Sequence, residues 1–190
     1  IIEDTGCDEY TVFLTGRDNF RFKVREDYKA NRSGTDKPVH YQLIRDYITE
    51  RYSAKIVDGM EADDALALSQ TEDTAIATID KDLLMVPGKH YNYVKEEWQE
   101  VTEDEGFRFF HHQMLTGDKV DNIIGLKGIG PKKADKLLDE TPMEDWEEMI
   151  VDLYNDQLGY GEGFQRAVEN SQLLWMLQRD RQMPLGFNYD

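Results

Sequence analysis

MEADDALALSQTEDTAIATIDKD, residues Met60–Asp82, combines the sequence patterns of a helix and a buried strand with two acidic groups. The first group comprises three carboxylates, those of Glu61, Asp63 and Asp64. The residues that follow are good helix formers without Pro or Gly, which predicts a helix that begins at these acids. Thr74–Ile79 is short, apolar and β-branched, which indicates a buried strand ending at Asp80. Ligands bind at such strand ends in open α/β sheets.

A third acidic group lies further along the chain, in the segment TGDKVDN. The candidate metal ligands are therefore seven carboxylates, Glu61, Asp63, Asp64, Asp80, Asp82, Asp118 and Asp121. Hard divalent cations prefer oxygen ligands, and they relieve the repulsion between clustered acids, so we predict a site for two Mg²⁺ or Mn²⁺ ions. The alternative is that each group is only a solvated helix start or turn.

Composition limits the class of protein. The chain of 190 residues fits one domain, or one domain with a small appendage. The single cysteine, Cys7, excludes an internal disulfide framework and fits a reducing cytosol, so we expect a cytoplasmic protein. We find no apolar run long enough to cross a membrane and no secretory signal. The net charge of −17 argues against bulk attraction to nucleic acid, which makes the distribution of charge more informative than its sum.

Strands and helices alternate in the first half of the sequence. Tyr10–Thr15 and Ala54–Val57 are predicted strands, and Tyr41–Tyr52 is a predicted helix between them. The helix has apolar residues at helical spacing, which predicts one buried face: Leu43, Ile44, Tyr47 and Ile48. This alternation is typical of an α/β fold with a parallel sheet. Further on, His90–Val94 and Phe107–Phe110 are predicted as short strands that flank an acidic segment.

The segment Arg17–Arg32 interleaves basic residues with aromatic ones. Arg21 and Lys23 are candidate phosphate contacts, and the aromatic side chains of Phe20, Phe22 and Tyr28 are candidates for stacking on bases. The alternative is an ordinary amphipathic connector. The neighbouring histidines His111 and His112 are expected to be structural or exposed, because the carboxylates already supply ligands for a hard ion.

The segment Met114–Glu140 contains a glycine hairpin, GLKGIG, between two predicted helices. Its glycines allow a tight turn that brings backbone N–H groups to a phosphate. Pro131 fits the first position of the next helix, at whose N-terminus anions bind. The candidate DNA-binding residues here are Gly125, Lys127, Gly128, Gly130, Lys132 and Lys133. The alternative is a plain helix–turn–helix with glycine caps.

Three segments, VDGMEADD, TIDKD and TGDKVDNIIGLKGIGPKKA, together resemble the flap endonuclease / 5′–3′ exonuclease family. YKANR, followed by Lys37 and Pro38, looks most like the exonucleases of T7-like bacteriophages. The similarity covers Tyr10–Glu140. It implies a PIN-like α/β nuclease domain with a central, mostly parallel sheet and a helix–three-turn–helix DNA-binding element. The corresponding division of the chain is a nuclease domain at 1–112 and a helical region at 113–190.

The resemblance also implies roles for individual residues. The seven carboxylates match the metal-binding acids of the family. Lys29 and Arg32 match basic residues that contact the scissile phosphate. The hairpin Gly125–Gly130 matches the element that binds the duplex backbone, often with a K⁺ ion.

The sequence departs from the family pattern at two positions. The family carries an Asp on its first strand, and nothing in this sequence matches it, so we expect that strand to lie upstream of Ile1. Gly16 stands where the family tends to place an Asp after a strand, and Asp18 is the nearest acid. These departures are expected of a fragment or of one part of a split nuclease.

The expected activity is metal-dependent hydrolysis of a DNA phosphodiester near a 5′ end during replication. The expected substrate is DNA with a 5′ end or a 5′ flap, or an RNA/DNA hybrid, in a bacterium or a phage-infected cell. The protein is expected to act as a monomer, or together with its missing N-terminal segment. The alternative is a catalytically silent, structure-specific DNA-binding module with an incomplete metal site. A PIN-type ribonuclease is a third reading, against which the glycine hairpin argues.

Overall fold

The structure, a computed structural model, describes residues 1–32, 34, 36–179 and 185, which fall into two compact units. Unit 1 contains Ile1–Phe20, Arg32–Thr102 and Met176–Arg179. Unit 2 contains Arg21–Asn31, Glu103–Trp175 and Leu185. The predicted division at residue 112 stays a prediction. Within the described ranges, every helix is too short or too polar to span a bilayer.

Short helices and short strands make up both units. The helices are α1 Ile2–Thr5, α2 Arg21–Val24, α3 Tyr41–Tyr52, α4 Ala62–Ser69, α5 Glu103–Thr116, α6 Pro131–Glu140, α7 Trp146–Leu158 and α8 Glu162–Leu174. The strands are β1 Phe13–Thr15, β2 Lys55–Val57, β3 Ala75–Ala77, β4 Gly88–Asn92, β5 Glu97–Val101, β6 Gly117–Asp118 and β7 Ile123–Ile124. Single 3₁₀ turns lie at Ala30–Arg32, Lys81–Met85 and Met143–Asp145.

The strands of unit 1 pair in parallel where the sequence predicts it. β1 pairs with β2 in parallel, with Leu14 opposite Ile56, and α3 makes the crossover that a parallel pair requires. β3 pairs with β4 in parallel, with Ile76 opposite His90, and β5 extends this sheet as an antiparallel strand. The predicted parallel strands thus form two separate ladders, β1–β2 and β3–β4–β5.

One predicted strand is wrong. Phe107–Phe110 lies inside the helix α5, whose first turn carries three acids that favour a helix N-terminus: Glu103, Asp104 and Glu105. Phe110, His111 and Met114 are buried at helical spacing, so the apolar period is that of a helix rather than a strand. The acidic segment before them contains β5 and the start of α5.

The predicted buried face of α3 also needs correction. Leu43 is 66% exposed, and Ile44 and Tyr47 are likewise exposed, whereas Ile48 is half-buried. The helix instead turns the side of Tyr41, Arg45 and Ile48 inward, and Arg45 Nη2 donates to Thr15 O over 2.8 Å. The three-residue strands β1 and β2 offer too little surface to cover the whole apolar stripe.

In unit 2, α5, α7 and α8 pack around one apolar core. The largest contributions come from buried residues of these helices: Phe110, Leu115, Trp146, Ile150, Tyr154 and Leu173. His111 lies within this core, and its Nδ1 lies 2.8 Å from Phe107 O. The histidine is therefore structural, as the sequence predicts.

The buried His111 makes stability depend on pH. Desolvation lowers its pKa from 6.5 to about 4, so the unfolded chain takes up a proton first as pH falls. The contribution of neutral His111 to the free energy of unfolding is complete above pH 6.5 and is lost as pH falls from 6.5 towards 4.

We expect the free energy of unfolding of wild type, measured by urea unfolding, to fall by about 2 kcal/mol through His111 between pH 8 and pH 5. His111→Leu should remove this loss. His112→Gln, on the same helix, is the matched control, and an unchanged pH dependence in His111→Leu would contradict the account.

Candidate metal and phosphate site

The first acidic group caps the helix α4. Glu61 is the N-cap, and a capping box joins its side chain to the Asp64 amide while Asp64 Oδ2 accepts from Glu61 N over 3.0 Å. Asp64 is fully buried, and its Oδ1 accepts from Leu177 N over 3.2 Å. Glu61 and Asp63 are half-buried. Both carboxylate oxygens of Asp64 therefore accept hydrogen bonds from backbone N–H groups of unit 1.

The second acidic group follows β3, as predicted. Asp80 caps the 3₁₀ turn Lys81–Met85, and its Oδ1 accepts from Asp82 N over 2.9 Å. Asp82 Oδ1 pairs with Lys81 Nζ over 2.6 Å. Asp80 is exposed and Asp82 is half-buried, so solvent reaches the Asp80 carboxylate more readily than the Asp82 carboxylate.

The third acidic group lies in unit 2, on the hairpin that β6 and β7 form. Asp118 Oδ1 accepts from Val120 N over 2.7 Å and from Asp121 N over 3.4 Å. Asp121 Oδ2 accepts from Tyr28 Oη over 2.9 Å and lies 3.4 Å from Lys29 Nζ. Lys29 N also donates to Asp121 O over 3.0 Å. The structure thus joins the predicted phosphate-binding lysine to a predicted metal ligand.

The complete set of seven carboxylates stays a prediction. Glu61, Asp63, Asp64, Asp80 and Asp82 belong to unit 1, and Asp118 and Asp121 to unit 2. Among the residues that the structure describes, no three His, Cys, Asp or Glu side chains are grouped closely enough to hold a metal ion. Capping and ion pairing occupy several of these carboxylates. Their chemistry nevertheless fits Mg²⁺ or Mn²⁺, because every donor is a carboxylate oxygen.

The basic segment divides into buried and exposed side chains. Arg21 is only 1% exposed, and it donates from Nε to Leu173 O over 2.9 Å and from Nη2 to Trp175 O over 2.7 Å. This corrects its predicted role as a phosphate contact, because the guanidinium instead ties α2 to the end of α8. Lys23 and Arg32 are exposed.

The predicted stacking residues divide in the same way. Phe20 and Tyr28 are buried, which corrects their assignment as stacking residues, whereas Phe22 is 49% exposed. The Phe22 ring meets the Tyr28 ring edge to face, with ring centroids 5.5 Å apart.

The glycine hairpin leads directly into α6, as predicted. Gly128 adopts a φ of +78°, and Gly130 is the N-cap of a helix with Pro131 in its first position. Gly125 has a different role, because a Cβ there would collide with Gly117 N and the backbone of Thr116. Gly125 therefore permits the chain to pack closely against the start of β6, rather than to approach a phosphate closely. The side chains of Lys127, Lys132 and Lys133 are exposed.

Gln157 supports the hairpin and was not predicted from the sequence. Its Oε1 accepts from Lys127 N over 2.8 Å and its Nε2 donates to Lys127 O over 3.1 Å. A glutamine on a helix surface has no distinguishing pattern in a single sequence. Tyr28, in contrast, stands in the segment YKANR, which the sequence had singled out.

The structure also explains why a glycine, rather than a residue with a side chain, stands at position 16. A Cβ at this position would collide with Asp58 Oδ1, which accepts from Arg17 N over 2.7 Å. The Asp58 carboxylate therefore occupies the space that a side chain at Gly16 would need. Asp18 is exposed and adopts a φ of +61°.

Sequence relatives of the chain include polymerases and an exonuclease, although no family model matches it. DNA polymerase I of Rhizobium leguminosarum is 34% identical in an alignment of length 148 that covers 68% of this chain and 14% of the polymerase. The thermostable DNA polymerase I of Thermus aquaticus is 33% identical in an alignment of length 156 that covers 73% of this chain and 19% of the polymerase. A 5′-3′ exonuclease of Bacillus subtilis is 30% identical in an alignment of length 146 that covers 66% of this chain and 49% of that protein. The chain thus spans less than a fifth of these polymerases and about half of the exonuclease.

Solved structures establish the fold. A mutant T5 5′-exonuclease superposes with a TM-score of 0.61 at 17% identity, over 91% of this chain and 73% of that one. The T5 D15 flap endonuclease, in a pseudo-enzyme-product complex with DNA and metal ions, gives 0.59 at 14% identity, over 91% and 86%. The predicted PIN-like α/β fold is therefore confirmed. The chain has the fold of T5 5′-exonuclease and is related in sequence to DNA polymerase I and to a 5′-3′ exonuclease.

The burial of Arg21 predicts that substitutions at Arg21 and at the exposed Lys23 change the free energy of unfolding by different amounts. Arg21→Met should lower the free energy of unfolding by about 3 kcal/mol, because two buried carbonyls lose their donors. Urea unfolding of the intact chain measures this loss. Lys23→Met is the matched control and should leave stability within about 0.5 kcal/mol of wild type. Equal stabilities for the two variants would contradict the structural role of Arg21.

Proposed function

We propose that the chain is a divalent-metal-dependent 5′ nuclease of the flap endonuclease / 5′–3′ exonuclease family, nearest to the exonucleases of T7-like phages. It hydrolyses DNA phosphodiesters near 5′ ends and at 5′ flaps. The observation that carries this proposal is the pairing of Lys29 with Asp121, which joins a phosphate-binding cation to a metal-binding acid. The named relatives and the T5 fold support it.

Metal binding is the first part of the proposed mechanism. Two Mg²⁺ or Mn²⁺ ions would be held by Glu61, Asp63, Asp64, Asp80, Asp82, Asp118 and Asp121. When bound, such ions lower the pKa of water and stabilise a leaving oxygen. The T5 neighbours support this reading, since one of them is described with bound metal ions and another with zinc.

The basic side chains supply the second part. Lys29 Nζ, with its side chain 18% exposed, remains accessible while Asp121 and the Tyr28 ring hold it, and it would stabilise charge on the phosphate. Arg32 is exposed and would contact the same phosphate. The fixed positions of such groups lower the barrier because they need little reorganisation during the reaction.

DNA binding is the third part. The backbone of the glycine hairpin, which Gln157 fixes at Lys127, would hold the sugar–phosphate backbone of a duplex together with Lys132 and Lys133. We include a K⁺ ion at the hairpin in the proposal. The net charge of −17 is compatible with this surface, because three exposed lysines are concentrated there.

We further propose that the chain works as a monomer in the bacterial or phage-infected cytoplasm, on DNA or RNA/DNA hybrids. Residues 1–112 would form the nuclease domain and residues 113–190 the helical DNA-binding region. The catalytically silent DNA-binding module is the competing outcome of the next experiment.

Asp80→Asn should abolish cleavage and preserve binding. The amide keeps the shape of the carboxylate and loses the charge that attracts a hard cation. We expect single-turnover cleavage of a 5′-flapped duplex in Mg²⁺ to fall at least about 100-fold, with DNA affinity in Ca²⁺ equal to wild type or tighter. Asp73→Asn, an exposed acid on the preceding loop, is the control and should cleave normally.

Two results would contradict this proposal. If the wild-type chain binds the flapped duplex and does not cleave it in Mg²⁺ or Mn²⁺, the silent module is correct. If Asp80→Asn cleaves within about twofold of wild type, a difference of about 0.4 kcal/mol, Asp80 holds no essential metal.

Removing the two lysines at the start of α6 should flatten the salt dependence of duplex binding. Lys132→Ala with Lys133→Ala should reduce the slope of log K against log salt by about two units, equally for all sequences. Fluorescence anisotropy titrations from low to moderate salt measure the slope. Lys136→Ala, which removes a lysine already paired with Glu140 on the same helix, is the control. An unchanged slope in the double variant would exclude this helix end from the DNA-binding surface.

A further inference from the structure

A polar network around Arg25 holds the hairpin Gly117–Ile124, which carries Asp118 and Asp121. The Arg25 side chain is 13% exposed, and its Nη2 donates to Asn122 O over 2.7 Å. Its Nη1 donates to Asn170 Oδ1 over 3.1 Å. One guanidinium therefore connects the turn of the hairpin to the helix α8.

Asn170 continues the network into the core of unit 2. It is fully buried, and its Nδ2 donates to Ile124 O over 2.9 Å and to Tyr154 Oη over 2.8 Å. Tyr154 Oη donates in turn to Met114 O over 2.8 Å. Burial raises the pKa of Tyr154 to about 12, so the hydroxyl keeps its proton and remains a donor. Arg25 and Asn170 thus contact both β7 and the turn before it.

The hairpin needs such support. β6 and β7 pair over only two residues each, and a short isolated hairpin is marginally stable in water. Asn122 adopts a left-handed conformation in the turn, with a φ of +60°, which Asn tolerates better than most residues other than Gly. Its side chain donates to Asp27 O over 2.7 Å, next to the segment that carries Lys29. Contacts outside the hairpin therefore fix the backbone that directly follows Asp121.

We propose that Arg25 and Asn170 are positioning residues, which hold the carboxylates of Asp118 and Asp121 in one arrangement for a divalent cation. The assignment of the two acids as metal ligands rests on the proposed function. Arg25 and Asn170 act through the hairpin backbone. Groups that orient metal ligands in this way raise affinity, because the ligands need no ordering when the ion binds.

The experiment compares Arg25→Gln with Arg25→Lys in the full chain. Gln loses the charge and three of the five N–H donors, whereas Lys keeps the charge and loses the planar fork. Arg166→Gln, at a surface arginine of α8 that pairs with Glu169, is the matched control. The readouts are amide hydrogen exchange at Val120 and Asp121, whose N–H groups Asp118 accepts, and Mn²⁺ affinity by electron paramagnetic resonance.

We expect Arg25→Gln to speed exchange at Val120 and Asp121 while exchange in α7 stays at the wild-type rate. Mn²⁺ affinity should fall about 10-fold. Arg25→Lys should show the same changes to a smaller extent, and it decides the question alone if Arg25→Gln does not fold. Unchanged exchange in the hairpin would overturn the proposal, as would equal acceleration in the hairpin and α7, which marks a general stabilising role.

The same measurements distinguish a failure of the proposed function from a failure of the positioning role of Arg25. A wild-type chain that neither binds Mn²⁺ nor cleaves a flapped duplex refutes the nuclease assignment and the metal-related role of Arg25 together. A wild-type chain that binds Mn²⁺ with an affinity that Arg25→Gln leaves unchanged refutes only the positioning role.

Discussion

The contact between Lys29 and Asp121 is the interaction on which the account of this protein depends. It joins two segments about 90 residues apart in sequence, and it is reinforced by the Tyr28 hydroxyl and by the backbone bond from Lys29 N to Asp121 O. Both charged side chains are 18% exposed, so solvent screens the pair only partly. In the proposed reaction, this cation would stabilise charge on the phosphate and this acid would hold a metal ion.

Several acids that are proposed as metal ligands also have structural roles in this chain. Asp64 completes the capping box of α4 and accepts a hydrogen bond from Leu177 N, Asp80 caps a 3₁₀ turn, and Asp118 closes the turn of the β6–β7 hairpin. Each carboxylate is therefore positioned by a backbone bond before any ion binds. A ligand positioned in advance binds metal with little loss of conformational freedom, which is why capping and metal binding are compatible at one residue.

Local pattern predicted much of the fold. Tyr41–Tyr52 forms α3 with the predicted bounds, and β1, β2 and β3 lie within the predicted strands, because period and composition determine these elements. The prediction of a strand at Phe107–Phe110 was wrong because a run of four residues fits the period of a strand or of a helix until its neighbours are included. The exposed stripe of α3 could not be predicted, since burial depends on the area of the packing partner rather than on the helix sequence.

Individual site residues were predictable where a motif carries them and unpredictable where distant partners decide. Arg21 looked like a phosphate contact, yet its acceptors belong to Leu173 and Trp175, about 150 residues further along the chain. Gln157 and Asn170 gave no signal, because a single amide on a helix has many uses. The acids of the three groups were candidates because their spacing and their places at helix starts and strand ends are local features, and their role as metal ligands stays a prediction.

A double-mutant cycle on Mn²⁺ affinity tests most directly the central proposal, that Asp118 and Asp121 bind one metal ion. Asp118→Asn, Asp121→Asn and the double variant are compared with wild type by electron paramagnetic resonance titration. The account predicts a coupling free energy of about 1 kcal/mol or more between the two positions, because removing one ligand changes what the other contributes. Strictly additive effects, or normal affinity in either single variant, would contradict a shared centre.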